Sequence, residues 1–209
     1  MKVLDIIPIS KTKYRVFFDD EVAFVLYKSD IHAYGIKCGN EIEVEAFEEI
    51  RNEIVKRAKL RTLNLLKVKD YTEAEIRNRL IKDGYFEEAV YSAVEYAKSY
   101  NYLGDEIYAG KYYDTFSYKK SLRQIEAELL KKGISKEIVN EVLSSKLSSD
   151  TEDYEIEQIE KYLVKKKYSD EMSYQDKMKI FAFLMRKGYA GDKIRSAMKG
   201  FDDNDFYLT

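Results

Sequence analysis

The sequence predicts a mainly α-helical protein of three tandem three-helix repeats, with a small antiparallel β-element at its N terminus. Strand-like alternation of apolar and polar residues is confined to the first fifty positions, and helical spacing follows it. Within the helical part, one pattern centred on a glycine occurs three times. A chain with 35% charged residues, nine glycines and one proline is typical of helix-rich proteins with exposed polar faces.

The first fifty residues indicate a β-hairpin preceded by another strand. Apolar residues alternate on both sides of Asp19-Asp20, at Tyr14, Val16, Phe18, Val22, Phe24 and Leu26. Residues 3–9 are rich in β-branched and apolar residues, and because Pro8 cannot donate a ladder hydrogen bond, we expect this strand at a sheet edge. Three strands are barely stable alone, so the sheet should pack on the helices. Ser29-Asp30 should cap a short helix that Gly35 ends.

The repeated pattern is a leucine, a glycine four residues later and a large apolar residue directly after the glycine. Its copies are Leu80, Gly84 and Tyr85; Leu129, Gly133 and Ile134; and Leu184, Gly188 and Tyr189. Such a glycine is typical of the position just past a helix, where the backbone turns left-handed. Apolar pairs six and ten residues after each glycine predict one face of the next helix. These pairs are Val90 and Val94, Val139 and Leu143, and Ile194 and Met198.

The helix starts are marked by polar caps. Thr72-Glu73-Ala74-Glu75 and Ser121-Leu122-Arg123-Gln124 fit a capping box, and the third copy offers Ser173 or Asp176. The spacing between the glycines leaves room for one more helix in each repeat, which gives nine helices in all. We expect these additional helices at residues 54–68, 105–117 and 153–166. The predicted organisation is a β-rich extension at 1–50 and repeats at 51–104, 105–152 and 153–209, the last with a C-terminal tail.

Charge is segregated along a chain whose formal net charge is only -2. Residues 51–70 sum to +5 and residues 161–199 to +7, whereas residues 137–160 sum to -7. Such blocks can give basic faces that bind a partner, although solvated helix surfaces or cations that complement helix ends explain them equally well. The candidate partner-binding residues are Lys56, Arg57, Lys59, Arg61, Lys67, Lys69, Lys119, Lys120, Arg123, Lys131, Lys132, Lys165, Lys166, Lys167, Arg186, Lys187, Arg195 and Lys199.

Tyrosine is unusually frequent, with nineteen copies and no tryptophan. Aromatic residues among lysines can stack on the bases of single-stranded nucleic acid, but tyrosines at helical spacing also serve as core residues. Because Tyr108 and Tyr112 are spaced i, i+4, we expect both in the core. Tyr113 and Tyr118 are the aromatic candidates for exposure and partner binding.

One segment carries a resemblance to a known family. Residues 102–112, Tyr-Leu-Gly-Asp-Glu-Ile-Tyr-Ala-Gly-Lys-Tyr, resemble the pattern Gly-Tyr-Leu-Asp-Asp-x-x-Phe-Ala-x-x-Tyr of the RecX family of recombination regulators. The sequence departs from it at Asn101 and Gly104, and Thr115 and Phe116 stand where the family commonly has an arginine. Residues 131–134 look like the family's second-repeat Lys-Gly-Ile, and residues 183–189 look like its third-repeat Phe-Leu-x-Arg-Arg-Gly-Phe.

The resemblance covers about residues 54–199 and implies a function without catalysis. RecX proteins look like elongated, curved helical modules that lie in the groove of a RecA–DNA filament. They contact neighbouring RecA protomers and hinder strand exchange, ATP hydrolysis and filament growth. The resemblance therefore implies the RecA filament as partner and a monomer with weak direct DNA contact at most.

Other classes of function find little support in the sequence. No glycine-lysine-serine/threonine phosphate loop occurs, and Cys38 and His32 are too few for a structural zinc site and lack the third group of a catalytic triad. We therefore expect no enzymatic activity, cofactor or metal. The single cysteine and the lack of a signal peptide or long apolar run predict a cytoplasmic protein without membrane contact. A direct DNA-binding module and an unrelated helical adaptor remain alternative interpretations.

Overall fold

A computed structural model describes residues 1–19, 23–146 and 151–198. The chain forms two compact units, a first unit that ends at Gly104 and a second unit that begins at Asp105. The described ranges contain three strands and ten helices, and none of these helices is long and apolar enough to cross a membrane. The architecture confirms the predicted fold class, a mostly helical protein with a small antiparallel sheet.

The sheet of the first unit is antiparallel, with its strands in the order in which they occur in the chain. The strands are Val3–Pro8 (β1), Lys13–Phe18 (β2) and Ala23–Tyr27 (β3). Val16 lies opposite Phe24 in the predicted hairpin, and β1 lies at the edge, as Pro8 indicates. Asp20 and Val22, which belong to the predicted hairpin, lie outside the described residues.

The helices of the first unit are Lys28–Ala33 (α1), Val44–Leu66 (α2), Glu73–Asp83 (α3) and Glu87–Ser99 (α4). The predicted cap of α1 is wrong, because Tyr27 takes the N-cap position and Asp30 accepts a hydrogen bond of 2.9 Å from its backbone N–H. The predicted start of α2 at residue 54 is also wrong. Buried Phe47 and Ile50 extend its apolar face toward the N terminus, so α2 runs across residue 50.

One continuous apolar core joins the sheet and the helices of the first unit. The inner face of the sheet packs on α2 through three rings, those of Phe18, Phe24 and Phe47, whose centroids lie 5.1–5.6 Å apart. Aromatic pairs at such distances stabilise a core by about 0.5–1.5 kcal/mol beyond their burial. The cluster continues through Leu80 of α3 and Val94 of α4, both fully buried. The expected packing of the sheet on the helices is confirmed.

The second unit contains six helices and two separate apolar clusters. The helices are Asp105–Phe116 (α5), Leu122–Lys131 (α6), Lys136–Lys146 (α7), Thr151–Lys165 (α8), Tyr174–Arg186 (α9) and Gly191–Ala197 (α10). One cluster lies among α5, α6 and α7 and centres on Ile125, Leu129 and Val139. The other lies among α8, α9 and α10 and includes Leu184 and Ile194. Each repeat therefore encloses its own apolar residues.

The three repeats share the predicted helix end. Gly84, Gly133 and Gly188 have φ angles of 95°, 88° and 88°. In each, the N–H of the following residue donates to the carbonyl of the leucine four residues before the glycine, over 3.1–3.3 Å. This is the Schellman arrangement. A Cβ on Gly84 would lie 2.5 Å from Val25 Cγ2, so the turn also lets α3 approach the sheet.

Two further helices end in the same way without glycine. Asn101 and Lys167 each have a φ angle of 55°, and the N–H of the next residue donates to the carbonyl five positions before it. Asparagine tolerates the left-handed region better than most residues, so Asn101 can stand where the pattern that this segment resembles has glycine. Lys167 has no such tolerance, and its conformation costs about 1–2 kcal/mol.

The predicted N-caps are present in all three repeats. Thr72 Oγ1 accepts from the Glu75 N–H at 3.2 Å, and the Glu75 carboxylate accepts from the Thr72 N–H at 3.1 Å, which completes a capping box. Ser121 and Ser173 cap α6 and α9. Ser173, rather than Asp176, is therefore the cap of the third copy. Capping of this kind stabilises a helix by about 1 kcal/mol.

Candidate partner-binding surface

The arginines of α2 bind acidic residues of the first unit rather than pointing freely into solvent. Arg57 makes a bidentate ion pair with Asp30, with hydrogen bonds of 2.5 and 2.9 Å. Burial raises the pKa of the Asp30 carboxyl, but the hydrogen bonds from Arg57 and from the Tyr27 N–H outweigh this effect and leave the pKa lowered. Arg61 Nε donates to Asp83 Oδ2 at 2.8 Å. Both arginines therefore hold secondary-structure elements together.

The lysines of α2 and of the following turn are more accessible. Lys56, Lys67 and Lys69 are exposed, and Lys69 Nζ lies 4.3 Å from the centroid of the Tyr71 ring. Lys59 is half-buried, with Nζ 5.1 Å from the Tyr96 ring. The first unit thus retains a set of accessible cations, fewer than the sequence predicted.

Two predicted basic residues of the second unit also have partners within their own repeat. Lys120 Nζ forms an ion pair with Glu128 and donates to Tyr112 Oη at 3.0 Å. The hydrogen bond from Lys120 lowers the pKa of Glu128, whereas burial and the bond to Glu128 raise the pKa of Tyr112. Lys132 Nζ lies 5.3 Å from the ring of Tyr108.

The predicted exposure of Tyr113 is wrong. Tyr113 is 8% exposed and packs in the cluster of α5, α6 and α7 with Ala109, which lies one turn earlier. This i, i+4 pair, rather than Tyr108 and Tyr112, forms the most deeply buried stripe of α5. Those two tyrosines are half-buried and cover the margin of the cluster. Tyr113 is therefore not available as a stacking platform.

Tyr118 is exposed as predicted and lines a cleft of about 350 Å³ in the second unit. This basic cleft is formed by Tyr118, Lys119, Gln158, Lys161, Tyr162 and Lys165. The turn between α5 and α6 supplies the first two residues, and α8 supplies the other four. Lys161 and Lys165 lie one helical turn apart and so share a face of α8. The cleft combines three cationic side chains with two aromatic rings.

More cations lie beside the cleft. Lys166 Nζ is 4.6 Å and Lys187 Nζ is 5.9 Å from the ring of Phe183, and Lys187 Nζ is also 5.9 Å from the ring of Tyr162. Arg123 is exposed, and its Cβ lies next to Gly188. These cations lie close together in one part of the second unit, several of them over aromatic rings.

The other predicted cations are more scattered. Lys131, Lys167 and Arg186 are exposed at or near helix ends. The guanidinium of Arg195 lies 6.0 Å from the ring of Phe181. Lys199 lies outside the described residues. Their role in partner binding stays a prediction.

A buried polar network includes Gln158, one of the residues that line the cleft. Gln158 is 4% exposed, donates to the Ser117 carbonyl and accepts from the Tyr189 hydroxyl at 2.7 Å. Ser121 Oγ donates to the Lys187 carbonyl at 2.7 Å, so the cap of α6 also binds the end of α9. The bonds from Gln158 to Ser117 and from Ser121 to Lys187 cross between the two repeats, so they fix the cleft walls relative to each other.

The same network has a charged end. Glu155 is 7% exposed, and its Oε1 accepts from the Leu122 N–H at 3.0 Å. Its Oε2 accepts from Lys193 Nζ, also at 3.0 Å. Together with the bonds of Gln158 and Ser121, these contacts make a polar seam between the α5–α7 and α8–α10 repeats. The seam is defined here by Ser121, Glu155, Gln158, Tyr189 and Lys193.

Lys161 and Tyr162 are site residues that the sequence analysis missed. The signal for Lys161 was present, since it lies four residues before Lys165. Tyr162 carries no comparable signal, because its place in the cleft depends on helices distant in sequence. Among the described residues, no group of three or more histidine, cysteine or acidic side chains could hold a metal ion.

The repeats match descriptions of known domains. Residues 58–96 match the family model described as the first three-helix domain of RecX, and residues 152–198 match the model of its third three-helix domain. A regulatory protein RecX from Clostridium perfringens strain 13 is 32% identical over 93% of this chain and 92% of its own length. The chain belongs to the RecX family. RecX from Caldanaerobacter subterraneus is 35% identical over 90% of this chain and 92% of its own length.

The fold agrees with a solved structure of the family. A crystal structure of regulatory protein RecX, 21% identical in sequence, superposes with a TM-score of 0.63 over 93% of this chain and 98% of that chain. This similarity concerns the fold. Since family membership rests on relatives aligned over nearly their whole length, the sheet and both helical units are part of the RecX architecture here.

Proposed function

We propose that this RecX family member binds the RecA–DNA filament and restrains RecA's ATP hydrolysis, strand exchange and filament growth, without catalysing a reaction. Family membership over more than nine-tenths of the chain is the observation that carries the proposal. Repeated helical units also suit a partner that is itself a regular array, because successive repeats can contact successive protomers. We also propose that the protein acts as a monomer in the cytoplasm.

The charge distribution supports an electrostatic component of binding. The basic cleft and the neighbouring Lys166, Lys187 and Arg123 concentrate positive charge on a molecule whose formal net charge is -2. A filament with bound DNA is rich in phosphate and acidic groups, so complementary potentials would speed encounter and fix register more than they raise affinity. We assign Lys119, Lys165, Lys166 and Lys187 to this surface, and Arg57, Arg61, Lys120 and Tyr113 to the protein's own packing.

The direct test is the ATPase activity of RecA on single-stranded DNA. RecA from the same organism is titrated with the protein at substoichiometric ratios, with binding to bare DNA measured at the same salt concentration. We expect inhibition well below one copy per RecA. The variant K165Q/K166Q should require more protein for the same inhibition, whereas K11Q/K37Q, which removes two exposed cations of the first unit, should behave as the unaltered protein does.

Absence of inhibition at every ratio would contradict the proposal. Equal loss in both double variants would contradict the assignment of the surface but not the function. A direct DNA-binding module, the alternative, predicts that tight binding to bare DNA accounts for all inhibition and that adding competitor DNA removes it.

A further inference from the structure

We propose that the basic cleft binds single-stranded DNA, by stacking of an unpaired base on its tyrosines and by phosphate contacts to its lysines, with little preference for sequence. The inference deepens the proposed function, because it names a component of the filament that this surface contacts. It rests on the second unit alone, which contains all six residues of the cleft.

The two aromatic rings of the cleft differ in exposure and in the contacts that hold them. Tyr118 is 47% exposed and lies in a turn, with Lys119 Nζ 4.7 Å from its ring centroid, so a base would stack on the ring face away from Lys119. The Tyr162 ring is held by the edges of two neighbours, with centroids 5.7 Å from Phe183 and 6.2 Å from Tyr189. A cleft lined by one ring held in place and one accessible ring is suited to a flat group that enters from solvent. Base-on-aromatic stacking is sequence-tolerant, because every base has a π-face.

The cations lie where a phosphate chain would pass. Lys161 and Lys165 project from one face of α8, and Lys119 lies on the opposite wall. Lys161 Nζ is 3.8 Å from Glu157 Oε2, an exposed ion pair of the kind that contributes little and exchanges readily with a phosphate. Lys166 and Lys187 extend the positive charge past the cleft along Phe183. The track is therefore longer than one nucleotide, which favours a strand over a free mononucleotide.

We expect the cleft to bind single-stranded DNA with little preference for sequence because the side chain of Gln158 is already hydrogen-bonded. Its amide is the uncharged hydrogen-bonding group best placed to read a base edge, but both ends are already bound, to the Ser117 carbonyl and the Tyr189 hydroxyl. Breaking either hydrogen bond would leave a buried polar group without a partner. The free energy lost would be about as large as the free energy gained from one contact to a base. The cleft thus offers charge and ring faces, without an amide free to select a base.

The combination of groups also favours single-stranded over double-stranded DNA. The lysines alone would suit any polyanion, including a duplex or an acidic peptide. Only an unpaired base can present its flat face to Tyr118 and Tyr162, because bases in a duplex are stacked on each other. The aromatic walls therefore decide between these ligands.

The experiment measures fluorescence anisotropy of 5′-fluorescein-labelled oligothymidylate of 20 nucleotides at a series of salt concentrations. K161Q/K165Q should weaken binding and reduce the slope of log affinity against log salt by about 1.4, the value for two lost phosphate contacts to a single strand. The control K11Q/K37Q should leave the slope unchanged. Tyr118→Ala should weaken binding about tenfold, and the control Tyr91→Ala, at a tyrosine of the first unit that is 58% exposed, should not.

Two competitors identify the ligand. A 20-unit abasic deoxyribose-phosphate oligomer should bind more weakly than oligothymidylate, and equally to the unaltered protein and to Tyr118→Ala. Thymidine monophosphate should compete poorly at an equal nucleotide concentration, and efficient competition would overturn the proposal in favour of a mononucleotide site. A duplex that binds as tightly as the single strand, or cleft variants that match their controls, would overturn it as well.

The outcome is separable from that of the RecA assay. Oligonucleotide binding contains no RecA, so loss of binding in the cleft variants supports the inference even where the protein fails to inhibit the RecA ATPase. Conversely, inhibition of RecA with unchanged oligonucleotide binding in all variants would keep the proposed function and overturn this site.

Discussion

The two units are stabilised in different ways. The first unit has one continuous apolar cluster, which joins the sheet to α2, α3 and α4. The second unit has two apolar clusters, one in each repeat, and a polar seam through Glu155 and Gln158 between them. The helical repeat of the first unit thus joins the sheet by apolar packing, whereas the two repeats of the second unit are joined by hydrogen bonds.

The difference has consequences for how precisely surfaces are held. Apolar burial is roughly proportional to area and has little directionality. A satisfied polar network requires specific angles and distances, and each bond it loses inside the protein is costly. The seam shares Gln158 with the basic cleft, so we infer that hydrogen bonds are used where the relative position of two repeats matters for binding.

The largest expected effect comes from the buried leucines of the shared helix ends. Leu80→Ala and Leu129→Ala should each lower the free energy of unfolding by about 2–5 kcal/mol, because each removes a fully buried side chain and leaves a cavity. Hydrogen exchange resolved by peptide should show the difference between the units. Leu80→Ala should loosen the sheet as well as α3, whereas Leu129→Ala should leave the protection of α9 nearly unchanged.

Loosening of α9 by Leu129→Ala to the same extent as α6 would contradict the separation into two clusters. Leu129→Met, which keeps the volume, serves as the control and should cost less than about 1.5 kcal/mol.

The second effect tests how closely the two repeats of the second unit approach. A Cβ on Gly188 would lie 2.6 Å from Ser121 Oγ, at a φ angle of 88°. Gly188→Ala should therefore cost about 2–4 kcal/mol, the sum of a left-handed backbone and local overpacking. Gly35→Ala is the matched control, because its φ angle is 61° and nothing lies within 4 Å of the added Cβ.

We expect Gly35→Ala to cost only the backbone contribution, about 1–2 kcal/mol. Both free energies of unfolding are measured by urea titration followed by circular dichroism. Equal losses in the two variants would show that Ser121 moves aside freely and that the seam is not closely packed.

The third effect concerns the seam itself. Gln158→Leu should cost about 1–3 kcal/mol, because it leaves the buried Tyr189 hydroxyl and the Ser117 carbonyl without their partner. Tyr189→Phe removes the hydroxyl that Gln158→Leu leaves without a partner. The double variant should therefore lose less free energy of unfolding than the sum of the two single variants. The coupling free energy from this double-mutant cycle should be about 0.5–3 kcal/mol. A coupling near zero would contradict a cooperative seam.

Short-range patterns made the repeat caps predictable. Leu80, Gly84 and Thr72 lie within one helix and its ends, so their spacing alone specifies the cap chemistry. The partners of Arg57 and the walls of the basic cleft were not predictable, because Asp30 is 27 residues from Arg57 and Tyr118 is distant in sequence from α8. Contacts of this range depend on packing rather than on local pattern.

The error at Tyr113 has the same origin. Two i, i+4 pairs occur on α5, and tyrosine spacing alone favoured Tyr108 and Tyr112. Neighbouring helices instead cover the face with Ala109, whose small side chain lets α5 approach them. Sequence periodicity identifies an amphipathic helix, but the choice between adjacent faces is made by the residues that pack against it.

The smallest expected effect is a dependence of stability on pH in the first unit. The folded-state pKa of Asp30 is lowered, so its contribution to stability is present above the ordinary aspartate pKa of about 3.9 and is lost as pH falls through the lower folded value. Protonation would break the bidentate bonds from Arg57 that join α1 to α2. Asp30→Asn should therefore flatten the decline of stability with acid, whatever its effect at neutral pH.

The measurement is the free energy of unfolding by urea between pH 5 and pH 3, with hydrogen exchange of α1 as a local readout. The control Asp170→Asn removes one carboxylate at an exposed site. It should leave the slope of the free energy of unfolding against pH close to that of the unaltered protein. An unchanged slope in Asp30→Asn would mean that Arg57 contributes through packing alone. In that case the first unit would rely on its apolar core without a polar contribution of this kind, and the contrast with the polar seam of the second unit would become sharper.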